Sequence, residues 1–138
     1  RIDQVVAVKQ AVTDLDEARR IVEAGRLALY AGNDDLLLPF ALLGGVGGIC
    51  VASHVAGGEM LAVQAAADAG DADEARRLDD ALQPLFAALS CTVNPIPVKT
   101  AMELLGFAVG GLRLPLVAAT SDERETVRAA LAARGLLP

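Results

Sequence analysis

The chain has 138 residues, 54 % of them hydrophobic and 22 % charged, with 18 acidic side chains against 12 basic ones. Such length and apolar content suit one buried core and exclude a disordered chain. A net charge of −6 and only four aromatic residues, Tyr30, Phe40, Phe86 and Phe107, argue against tracking phosphates or stacking bases, so no nucleic-acid partner is expected.

The sequence opens Arg1-Ile2-Asp3 without a methionine and runs at once into an apolar stretch. This is how a chain cut from a longer one would begin, with Arg1 at the cut. No basic segment followed by an apolar one suggests a secretory signal. Val5-Val6-Ala7-Val8 is a continuous β-favouring run, the pattern of a parallel strand covered on both faces. Thr13 and Asp16 stand at capping-box spacing ahead of Leu15, Ala18, Ile21 and Val22, and Gly25 closes the predicted helix. Leu27–Tyr30 reads as a second buried strand and Gly32-Asn33-Asp34 as a turn. A helix follows from about Asp35 to Leu43, and Ile49-Cys50-Val51 is the third strand. Strand, helix, strand, helix, strand is the pattern of βαβ units on a parallel sheet.

Residues 36–58 carry no Asp, Glu, Lys or Arg, which is long enough to span a bilayer. Pro39, the glycines at 44, 45, 47 and 48, His54 and the acidic flanks point instead to a buried helix followed by a buried strand, with no membrane partner. Beyond Val51 the pattern is helical: Glu59–Ala69, then a helix from Asp71 to about Leu89 with a kink expected at Pro84. Asn94-Pro95-Ile96-Pro97 reads as a rigid connector into a helix through Leu105. Leu112–Leu116 is an irregular apolar crossing, and Thr120 with Glu123 opens a last helix that stops at Gly135. Residues 1–55 thus carry the strands and 56–138 the helical remainder of one domain. Three parallel strands alone leave unpaired apolar edges, so a larger sheet, an oligomer or a complementary chain is expected.

Lys9 follows the first apolar run, at the end of a strand where α/β folds place reactive groups. Held in an apolar pocket it would attack a carbonyl as the neutral amine; a solvated lysine at a strand end fits the same letters. Gly32, Asn33, Asp34 and Asp35 suit either a polar ligand site or an ordinary turn with an Asp cap. Ser53 and His54 are adjacent, which is not how a nucleophile meets its base, and His54 reads as a helix-entry or packing residue. Cys50 and Cys91 have no metal-ligand spacing, read as small hydrophobes, and favour a reducing, cytoplasmic compartment. Lys99 lies in a helix's first turn, as a solvated lysine or as support for the site. Taken together, three strand ends bearing ligand-grade residues would face one barrel mouth.

The runs Val6-Ala7-Val8-Lys9-Gln10-Ala11, Tyr30-Ala31-Gly32-Asn33-Asp34, Gly47-Gly48-Ile49-Cys50-Val51, Asn94-Pro95-Ile96-Pro97-Val98-Lys99 and Arg113-Leu114-Pro115-Leu116 resemble the dihydrodipicolinate synthase/N-acetylneuraminate lyase family. The resemblance covers essentially the whole chain but only the C-terminal half of that family's. It implies strands six to eight of a (β/α)8 barrel plus the C-terminal helices. It implies that Lys9 forms a Schiff base with pyruvate, that Ile49 offers its carbonyl to the pocket, and that Gly32 with Asp34 lines the substrate's far end. The enamine would attack aspartate semialdehyde on the way to lysine; in the lyases the same imine cleaves a keto acid. No metal or other cofactor is expected. The Gly-Thr-Thr-Gly-Glu loop, the relay tyrosines and the arginine for the second substrate belong to the other half. Asn33, Gln10, Cys50 and His54 depart from the residues usual in the synthases. Alternatives are a sugar-acid aldolase of the same family, or a half-barrel that serves only as an assembly or binding module.

Overall fold

A computed structural model describes residues 3–137; Arg1, Ile2 and Pro138 lie outside the described residues, and with them the cut expected at Arg1. Strands β1 (Ala7–Gln10), β2 (Ala28–Ala31) and β3 (Gly47–Gly48) form one parallel sheet in that order. Gln10 pairs with Ala31 and Ala31 with Gly48, so all three strands end level with one another. Pairing runs slightly past the strands, with Ala28 N–H donating to the Val6 carbonyl at 3.0 Å and Ile49 N–H to that of Ala31 at 2.8 Å.

The strands differ from expectation in two ways. The third was expected at Ile49–Val51 and lies at Gly47–Gly48, because the chain turns away at Cys50 to enter the next helix. The first was expected at Val5–Val8, covered on both faces, and lies at Ala7–Gln10 and only partly buried, with Val5 and Val6 before it 52 % and 70 % exposed. Among the described residues β1 pairs only with β2, so one of its edges is bare. β2, paired on both sides, holds the buried Leu29 and Ala31.

Helix α1 (Leu15–Glu23) is capped by Asp14, whose side chain accepts from the Asp16 and Glu17 N–H groups, and not by Thr13 as expected. One residue later in the chain, the Asp14 carboxylate accepts from two of the first turn's free N–H groups. A 3-10 turn at Asp34–Leu36 leads into α2 (Leu37–Leu42). α3 (Ser53–Asp68) begins six residues before the expected Glu59, and its one departure from helical backbone angles is at Ala56. α4 (Ala72–Leu89) continues through Pro84, although that residue offers no N–H to the Asp80 carbonyl. α5 (Ile96–Leu104) and α6 (Ser121–Ala133) complete the chain, α6 with the expected Thr120/Glu123 capping box.

Leu29 of β2, Phe40 of α2, Val63 of α3, Leu82 and Leu85 of α4, and Val127 and Leu131 of α6 belong to one buried cluster. Each large side chain buried there contributes roughly 1.5–3 kcal/mol. At the far end Arg134 pairs with Glu59 and donates to the Ala81 carbonyl at 2.9 Å. That ties the tail to α3 and α4, and α4 is thereby fixed over the carboxyl ends of the strands.

Candidate active site

The strand ends are stitched together by their own polar groups. Gly32 N–H donates to the Gln10 carbonyl at 2.8 Å, and Asn33 Nδ2 donates to the Ala11 carbonyl at 3.0 Å. A Cβ on Gly32 would stand 2.8 Å from Ala11 Cβ and 2.9 Å from the Gln10 oxygen, so only glycine lets β1 and β2 approach this closely. Asp34 Oδ1 accepts from Ala52 N–H at 2.9 Å, and Ser53 Oγ donates to the Cys50 carbonyl at 2.6 Å. Cys50 Sγ points back to the carbonyls of Asn33 and Ala31 at 3.5 and 3.7 Å. The result is a rim in which the entry to α3 is tied to the end of β2.

These contacts decide the chemistry of several candidates. Burial, and then the nearby Asp34 carboxylate, push the Cys50 thiol up to about 12, opposed by the Lys9 charge. Cys50 is thus a structural thiol and not a nucleophile. Burial also raises the Asp34 carboxyl, opposed by the N–H groups of Ala52 and Val51 that bind it. Ser53 spends its hydroxyl proton on a backbone carbonyl, and His54 is exposed on the first turn of α3. Lys99 donates to the Gly111 carbonyl at 2.6 Å, and Cys91 is exposed and free.

A cavity of about 780 Å³ opens at the strand ends. Lys9, Gly32, Asn33, Asp34 and Asp35 form its floor; Gln83, Phe86 and Ser90 of α4 and its end, followed by Thr92 and Asn94, form the opposite wall. Of the two readings of Lys9, an amine held in an apolar pocket or a solvated lysine at a strand end, its exposure among the described residues agrees with the second, although it lines the cavity. Ile49 does not line this cavity; its side chain is 54 % exposed. The wall from α4 was missed in the sequence, since Gln83 and Ser90 sit in a helix whose visible pattern was its apolar stripe. The signal available was polar residues on the cavity side of that stripe. Among the described residues, no group of three or more His, Cys, Asp or Glu could hold a metal ion, and no helix is long and apolar enough to cross a membrane.

Three parallel strands whose polar ends share one mouth, with a helical tail folded over it, are the last part of an α/β barrel. The chain belongs to the dihydrodipicolinate synthetase family, whose model matches residues 1–134. It is 46 % identical over 138 residues to the 4-hydroxy-tetrahydrodipicolinate synthase of Moorella thermoacetica, covering 99 % of this chain and 47 % of that protein. Among solved structures, the dihydrodipicolinate synthase of Cyanidioschyzon merolae with lysine bound is 42 % identical with a TM-score of 0.92. The chloride-inhibited enzyme of Acinetobacter baumannii complexed with pyruvate is 35 % identical with a TM-score of 0.90. Each alignment covers 96 % of this chain and 46 % of the other. The chain therefore spans about half the length of the relatives it matches.

Proposed function

We propose that this chain is the nucleophile-bearing half of a Schiff-base lyase that condenses pyruvate with aspartate semialdehyde to give 4-hydroxy-tetrahydrodipicolinate. The observation that carries the reading is Lys9, which shares with Gly32 and Asp34 the lining of a cavity at the strand ends, in a chain 46 % identical to a named synthase. The Lys9 amine adds to the ketone carbon of pyruvate and the carbinolamine loses water to an iminium. Loss of a methyl proton gives the enamine, whose carbon attacks the aldehyde; the new alkoxide is protonated, and the acceptor's own amine, once deprotonated, adds to the iminium carbon, closing the ring as the Lys9 amine leaves. Gly32 and Asp34 would border the far end of the substrate, and Ile49 would turn its carbonyl to the assembled pocket. The Asp34 tie to Ala52 supports this by fixing the chain three residues beyond Ile49.

The segment needs a second piece to work. By resemblance, the relay tyrosines and the acceptor's arginine lie in the other half of the barrel, and proton transfer and positioning supply much of such a rate. The bare β1 edge supports an N-terminal half as partner, as does a hollow of about 910 Å³ between the chain leading into β1 and α1, with Val5, Val6, Ile21 and Leu27 and the charged Glu17, Arg20 and Arg26 in its lining. Assembly into a homo-oligomer and residence in the cytoplasm belong to the same reading, the latter supported by two unpaired cysteines.

The test is to incubate the chain with pyruvate and borohydride, with the N-terminal half of the Moorella thermoacetica synthase supplied. Reduction converts the imine to a secondary amine that trypsin does not cut. Lys9 should appear in an unbroken, pyruvate-bearing peptide spanning residues 2–19. Absence of that adduct with both halves present would sink the reading and leave a non-catalytic module.

A further inference from the structure

Asp79, Gln83, Phe86 and Ser90 follow one another along a single stripe of α4 and its end. Asp79 is 6 % exposed, and its Oδ2 accepts from Gln83 Nε2 at 2.8 Å. Its Oδ1 is buried with no hydrogen-bond partner. A buried carboxylate with an orphaned oxygen is a cost to the fold, so packing does not explain the pair. What the pair achieves is orientation. A carboxylate takes only donors, so it fixes the Gln83 amide nitrogen inward. Gln83 Oε1 has no hydrogen bond from the described residues and is not sealed off, and Gln83 lines the cavity across from Lys9. With Asp34 and Asp35 on the floor, the space between Lys9 and α4 is rich in acceptors and anionic charge.

We propose that Gln83, positioned by Asp79, is a specificity-determining residue whose amide oxygen accepts a hydrogen bond from the ammonium group of the aldehyde that meets the Lys9-bound pyruvate. The inference rests on the Schiff-base reading and adds to it a choice of acceptor: an amino-aldehyde over the same aldehyde without the amine. It is a binding interaction kept from ground state to transition state, so it acts on KM and leaves kcat alone.

The experiment compares the unsubstituted chain, Gln83→Met and Asp79→Asn, each assembled with the N-terminal half, against aspartate semialdehyde and its des-amino analogue, succinic semialdehyde. Gln83→Met is expected to raise KM for aspartate semialdehyde roughly tenfold, the usual loss for one hydrogen bond to a charged group. kcat, KM for pyruvate and the inhibition constant of succinic semialdehyde should stay put. Asp79→Asn frees the amide to turn over and should raise the same KM by a smaller factor. Because Gln83→Met strips Asp79 of its donor, Asp79→Leu/Gln83→Met provides a version with no orphaned carboxylate, and it should show the full KM increase. An unchanged KM for aspartate semialdehyde, or an equal loss for both aldehydes, overturns the assignment while the trapped Lys9 adduct keeps the Schiff-base reading alive. Absence of the adduct in the unsubstituted chain overturns both.

Discussion

Cys50 and Cys91 are chemically alike and differ in what surrounds them. Cys50 is buried, donates to two carbonyls, and ionises only near pH 12. Cys91 is exposed, and although burial of its sulfur raises its pKa as well, reagent reaches it. Only the thiolate reacts, and its fraction grows with pH up to the group's own pKa. A disulfide reagent at pH 8 should therefore titrate one thiol in the native chain and two in denaturant. Two fast-reacting native thiols would show that the Cys50 contacts are not kept. Lys9 and Gly32 were legible as strand-end residues, and so as lining of the cavity, because strand-end position and glycine geometry leave marks in the sequence. Gln83 was not, because a helix carries polar residues on any uncovered face and only the fold shows which face meets the cavity and that the buried Asp79 holds its amide.

At the scale of elements, the joint that matters is between β2 and α3. Asp34 accepts from Ala52 N–H at a point where the helix has no side-chain cap of its own. Asp34→Ala should cost about 1–3 kcal/mol, the usual range for leaving a buried donor unpaired, read as a lower denaturant midpoint. Asp34→Asn, whose amide oxygen still accepts, should lose less. Equal losses would mean that charge and not the Ala52 bond matters there. This joint also explains why element order was readable and boundaries were not. Ile49-Cys50-Val51 is a strand by composition, but Cys50 turns inward, Ser53 closes on the Cys50 carbonyl, and the chain is already entering α3. Likewise, Ser53–Gly58 contains two glycines and a histidine, poor helix formers, and tertiary contacts extend α3 through them. The Thr120/Glu123 box was readable because every part of it lies within four residues.

At the scale of the molecule, the apolar fraction that first suggested a self-sufficient core is only partly used. Val5, Val6, Val46 and Ile49, all at or beside strands, are each more than half exposed, while the helical side of the sheet is closed by Leu29, Phe40 and Leu85. The cavity has its floor and one wall in this chain, and the Moorella thermoacetica relative is about twice as long; under the proposed function the remaining walls come from an N-terminal half. The most direct measurement is a carbon NMR spectrum of pyruvate labelled at its ketone carbon, bound to the chain assembled with the N-terminal half. The expected result is an imine resonance that is absent from Lys9→Ala. Free pyruvate alone, or an imine that survives in Lys9→Ala, would contradict the central claim that Lys9 is the nucleophile.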